Sequence, residues 1–132
     1  MKKISVLLVI IWMVVIFTFS NTNAINSTKQ SDGVISVVAK IFHYDGDITN
    51  FRYLVRKTAH FTLYLLLGIL VCYSLKFNNV KNMIKLSLLI CILYACTDEI
   101  HQLFVNGRSG ELLDVCIDTL GSLLGVFLSS RK

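Results

Sequence analysis

Four apolar runs fill most of this 132-residue chain. They extend roughly from Ile4 to Ser20, from Lys57 to Leu75, from Met83 to Phe104 and from Leu112 to Ser129. A bilayer crossing takes ~20 residues, with a range of ~17–25, so each run is long enough for one span. Hydrocarbon offers no water to pair with backbone N–H and C=O groups, so each span has to be helical. The expected fold class is therefore all-α, an integral membrane four-helix bundle with four transmembrane helices. Composition agrees: 55% of residues are hydrophobic, only 16% are charged and proline is absent, whereas soluble domains carry ~25% charged residues. The length suits one compact bundle over residues 1–132 and no second domain.

The first run admits a rival reading. Lys2 and Lys3, an apolar stretch and Thr22-Asn23-Ala24 have the layout of a secretory signal cleaved after Ala24. The stretch lies at the long edge for a signal, and a retained helix is the expectation. Residues 21–50 are polar and read as a connection, in which Val34, Ile35, Val37, Val38, Ile41 and Phe42 recur at helical spacing. That spacing predicts a short amphipathic helix on the membrane surface after the first span, closed by a turn at Asp45-Gly46-Asp47. His43 beside Tyr44 reads as interfacial. Gly107 and Gly110 in the last connection predict a tight turn between antiparallel helices.

The net charge of +5 does not point to nucleic acid, because the basic residues flank apolar runs. They serve as topology signals and as contacts to lipid headgroups. With four spans, both termini and the second connection share one side. That side holds seven Lys and Arg, against six on the other. The bias is slight and favours cytoplasmic termini, which turns the opposite, acid-rich end outward. Cys72, Cys91, Cys96 and Cys116 lie inside apolar runs without zinc-type spacing and read as packing residues. Cys96 and Cys116 are the pair placed for a disulfide, both lying toward the polar end.

The polar end is where the chain departs from a plain bundle. The uncharged part of the third run, Leu86 to Thr97, covers ~18 Å of a hydrocarbon core ~30 Å thick. Thr119 to Ser130 repeats that shortfall in the fourth. Asp98 and Asp118 are thus expected at membrane depth in a protein-lined cavity, since a charge near the bilayer centre costs ~2.5–3.5 kcal/mol. Residues three, four or seven apart share a helix face. On that basis Lys57, His60, Tyr64 and Gly68 align on the second helix. Cys91, Tyr94, Asp98, His101 and Gln102 align on the third, with Glu99 about 100° away. On the fourth, Glu111, Asp114, Asp118, Ser122 and Gly125 align, and Gly121 with Gly125 adds a small-xxx-small packing pattern.

The candidate polar pocket is Lys57, His60, Tyr64, Asp98, Glu99, His101, Gln102, Arg108, Asp114 and Asp118. Arg56, Lys57 and Arg108 face five carboxylates, Glu111 included, so the balance is −2 with neutral histidines. Carboxylate protonation, imidazolium formation or a bound divalent cation would relieve it. The metal-ligand candidates are His60, Asp98, His101, Asp114 and Asp118, a set suited to zinc or manganese. A structural ion-pair network that holds the helices together accounts for the same residues.

Arg56-Lys57-Thr58-Ala59-His60-Phe61, with Tyr64 and Gly68 following, resembles the second-helix motif of the VanZ-like family. Thr97 to Phe104, followed by Gly107-Arg108-Ser109, resembles its third-helix motif. Asp114, Asp118, Gly121 and Gly125 resemble its Asp-rich fourth helix. Phe17, Phe19 and Ser20, then Ser27 and Ser31, resemble the end of its first helix and favour retaining that helix.

The resemblance covers essentially the whole chain. It implies a multi-pass protein of the bacterial plasma membrane, of a family whose namesake is linked to low-level resistance to the glycopeptide teicoplanin. The first functional expectation is non-enzymatic: an outer polar pocket that binds an anionic or lipid-linked envelope component, or holds a conformation that alters how the lipophilic glycopeptide reaches the surface, with membrane lipids and the glycopeptide itself as the other expected partners. The alternative is a membrane-embedded, metal-dependent hydrolase or transferase acting on a lipid-linked envelope substrate, with Arg108 or Lys57 clamping phosphate. A third is a small transporter subunit. The sequence alone leaves open whether the pocket is catalytic and how many copies assemble.

Overall fold

The computed structural model describes residues 2–21, 32–33, 35–37, 40–41, 48–106 and 110–131. Among them the chain forms helices α1 (Lys2–Ser20), α2 (Ile48–Phe77), α3 (Met83–Gln102) and α4 (Leu112–Ser130). Helical residues also occur at 32–33, 35–37 and 40–41, where the amphipathic helix is expected. Of its apolar positions Ile35 is buried, while Val37 and Ile41 are exposed. Val34, Val38 and Phe42 lie outside the described residues, as do Ala24, His43, the turn at 45–47 and Arg108.

Among the described residues three helices are long and apolar enough to cross a membrane, over Lys3–Ser20, Tyr53–Phe77 and Leu112–Ser130. The fourth expected span, α3, has 20 residues but carries Lys85 near one end and Asp98 and Glu99 near the other. Every 18-residue stretch of α3 includes all three of those charges, whereas α2, although it carries Arg52, Arg56, Lys57 and Lys76, is free of Asp, Glu, Lys and Arg from Thr58 to Leu75. Among the described residues it brings more buried polar groups into the bundle than any other helix: Ser87, Asp98, Glu99 and Gln102 are all buried on it.

Packing follows helical periodicity. Tyr64, Leu67 and Val71 lie on one stripe of α2, and Cys91 and Ala95 on one stripe of α3; with Ile16 of α1 they form the buried core. Large apolar side chains such as Leu7, Val14, Leu93 and Phe127 point outward, as they would toward lipid. All four cysteines are free thiols, so Cys96 and Cys116 are not joined.

The closest seam lies between α2 and α4. An ideal Cβ on Gly68 would meet the Ser122 carbonyl oxygen at 2.5 Å, and Cβ atoms on Gly121 and Gly125 would meet the carbonyls of Phe61 and Leu65. Only glycine permits that approach. The α2–α3 turn uses Asn79 (φ 58°) and Asn82 (φ 57°), the residue type that best tolerates the left-handed region after glycine.

Tertiary hydrogen bonds fasten α1 to the bundle. Trp12 Nε1 donates to the Leu63 carbonyl at 2.9 Å, and the Tyr94 hydroxyl donates to the Met13 carbonyl at 2.6 Å. Removing the latter with Tyr94→Phe should lower stability by about 1 kcal/mol. An unfolding titration in detergent checks this; an unchanged midpoint would mean that α1 is held by apolar packing alone.

Candidate functional site

The antiparallel course of α2, α3 and α4 brings the first half of α2, the last turn of α3 and the first half of α4 to one end. Lys57, His60 and Tyr64 recur on one face of α2. Asp114 and Asp118 do so on α4, and Asp98 and Gln102 on α3. The carboxylates Asp98, Glu99, Asp114 and Asp118 are all buried, as are Tyr64 and Gln102.

The site has two layers. In the outer one, Lys57 Nζ pairs with Glu111 Oε2 at 2.8 Å and with Asp114 Oδ1, and sits 4.8 Å from the centre of the Tyr53 ring. Tyr53, Arg56, Lys57, His60, Glu111 and Asp114 line a small open cleft of about 30 Å³ there. In the inner layer, His60 Nδ1 lies 3.3 Å from Asp118 Oδ1. The Gln102 amide donates to Glu99 at 3.1 Å and to Asp98 at 3.5 Å. His60 lines the cleft and also touches Asp118, so it joins the two layers.

Local backbone features place these groups. A Cβ on Gly110 would come 2.7 Å from the Glu99 carbonyl oxygen, so glycine lets the loop before α4 press onto the end of α3. The next backbone N–H, that of Glu111, then donates to Glu99 Oε2 at 2.9 Å. Deeper in the bundle, where Gly68 meets Ser122, the Ser122 hydroxyl donates to the Tyr64 carbonyl at 3.3 Å.

The ten candidate positions therefore have different surroundings. The inner layer brings His60, Asp98, Glu99, Gln102 and Asp118 together, with Tyr64 one turn beyond His60 on α2. Lys57 and Asp114 belong to the outer layer. His101 faces α1 instead, its Nε2 lying 3.2 Å from Asn21 Oδ1 and its ring 4.7 Å from that of Phe17. Arg108 is outside the described residues.

Of the metal-ligand candidates, His60, Asp98 and Asp118 converge. Asp114 is engaged by Lys57, and His101 is turned away. Glu99, which the helical wheel set apart from Asp98, joins the convergent group. Tyr53, Arg56 and Glu111 line the cleft although none of them is among the candidate pocket residues. Tyr53 lies one turn before Lys57, so the spacing that selected Lys57 and His60 would have found it too.

A family model described as VanZ/LLP1 matches residues 5–131. No curated protein and no solved structure matches the chain.

Proposed function

From the premise that this chain belongs to the VanZ-like family, we propose that it is a cell-envelope protein of the bacterial plasma membrane that contributes to resistance against teicoplanin-type glycopeptides. Both termini lie in the cytoplasm and the polar end faces outward. The cleft between α2 and α4 receives a polar group of a lipid-linked envelope component and so changes what the glycopeptide meets at the surface. One observation carries this reading: the mixed-charge cleft, which sets Arg56 and Lys57 beside Glu111 and Asp114 at the end of apolar helices. A group bearing both charge and hydrogen-bonding atoms can be held there while its lipid anchor stays in the bilayer. Opposite charges flanking the cleft favour a ligand with complementary charges over a simple anion.

A deletion strain should be more susceptible to teicoplanin and should show an altered profile of lipid-linked precursors. The wild-type chain should restore both. Arg56→Ala and Glu111→Gln, at the rim, should fail to restore them while reaching the membrane in normal amounts. Full restoration by both rim variants would overturn the reading.

A further inference from the structure

The inner layer is short of positive charge. His60, Asp98, Glu99 and Asp118 each offer one ligand-type atom, and these four atoms lie within 4.8 Å of one another. Three carboxylates, each no more than 5% exposed, thus converge on a single imidazole. Lys57, on the same face of α2, is committed to Asp114 and Glu111.

Two further groups mark the deficit. Asp118 is 0% exposed, and neither of its carboxylate oxygens accepts a hydrogen bond among the described residues; His60 is its ion-pair partner. The Tyr64 hydroxyl, on a side chain also 0% exposed, has no hydrogen-bond partner among the described residues. Buried carboxylates without compensating charge are among the most costly arrangements in a protein interior.

We propose that His60, Asp98, Glu99 and Asp118 form a binding site for a divalent transition metal of the manganese or zinc class. The proposal deepens, and rests on, the reading of the polar end as a binding pocket. Imidazole and carboxylates without thiolate suit those ions. Opposite donors around a six-coordinate ion lie about 4.4 Å apart at a bond length of about 2.2 Å. A set confined to 4.8 Å therefore closes on a cation with a small inward adjustment. The supporting hydrogen bonds are in place: Gln102 holds Asp98 and Glu99, and the Glu111 N–H holds Glu99. Such outer partners orient ligating carboxylates. Because His60 also lines the cleft, the cation sits at the inner end of the pocket.

The test uses the full chain in detergent, stripped with chelator and titrated with Mn²⁺ or Zn²⁺. Bound metal per chain and the thermal midpoint are the readouts. The wild type should take up one ion and gain stability with metal concentration. Asp118→Asn, nearly isosteric, should weaken binding about 100-fold or more, and Gln102→Ala about 10-fold. His101→Ala should bind as the wild type does. Should Asp118→Asn not fold, Asp98→Asn takes its place, and the chelator response of the wild type needs no variant.

Folded wild type that binds neither ion stoichiometrically, or Asp118→Asn and Asp98→Asn that bind as tightly as wild type, would overturn the site. Absent metal together with altered susceptibility in Arg56→Ala cells would remove the metal and leave the pocket function standing. Bound metal with unaltered susceptibility would do the reverse.

Discussion

A leucine at Gly125 should part α2 from α4 and with them the two halves of the polar end. The position a Cβ would take at Gly125 falls against the Leu65 carbonyl oxygen and 3.0 Å from the Ile69 nitrogen. Those are backbone atoms of a helix, so no side-chain rotation relieves the clash and a whole helix has to move. Overpacking a well-filled interior costs ~1–3 kcal/mol and occasionally more. The backbone contact places Gly125→Leu at or above the top of that range, with Gly125→Ala smaller and of the same sign. Lys57 and His60 reach Asp114 and Asp118 across this same seam, so the leucine variant should also lose metal uptake at the inner layer. Gly33→Ala is the control, since nothing lies within 4 Å of a Cβ there. Unfolding midpoints in detergent decide the matter: Gly125→Leu within about 0.5 kcal/mol of wild type would be ordinary surface behaviour and would sink the seam.

That seam was partly legible in the sequence. Gly121 and Gly125 stand four apart in an apolar run, a pattern whose only physical use is close approach. Gly68 stood on the same face as Lys57, His60 and Tyr64, so a single α2 stripe changes along its length from charged to tightly packed. The helices themselves were readable because hydrocarbon allows one backbone solution for each apolar run. α3 was the exception in character, since Lys85, Asp98 and Glu99 make it a helix that depends on its neighbours.

The limits of the helical wheel show at Glu99 and His101. A 100° offset forbids two side chains from sharing one face, but it does not keep them apart when two other helices close around both faces. α2 and α4 do that at the end of α3, and Glu99 is turned inward by Gln102 and by the Glu111 N–H. His101 fits the Asp98 face by spacing, yet it lies against Phe17 and Asn21. Nothing in the uniform apolar run of α1 announces which neighbour it will meet. Contacts of that kind depend on long-range packing, which periodicity does not encode.

Lys57→Met should destabilise the bundle by about 3 kcal/mol, because breaking a buried ion pair strands the remaining charge. The Lys57 side chain is only 12% exposed and that of Asp114 only 6%, so Asp114 cannot recover its hydration when the ammonium is gone. Glu111 is different: at 44% exposure it rehydrates readily, and its bond to Lys57 adds little. Methionine keeps most of the apolar stem, so the loss reports on charge more than on packing. Adding Asp114→Asn to Lys57→Met removes the stranded carboxylate and should recover most of the lost stability. Asp114→Asn alone should cost less than Lys57→Met, since Lys57 keeps Glu111. The double-mutant cycle, read from unfolding midpoints in detergent, should therefore give a coupling well above the ~0.3–0.5 kcal/mol within which independent sites add. Coupling inside that margin would mean that the Lys57–Asp114 pair does not bind α2 to α4, and the outer layer would then be a hydrated surface pairing rather than a wall of the cleft.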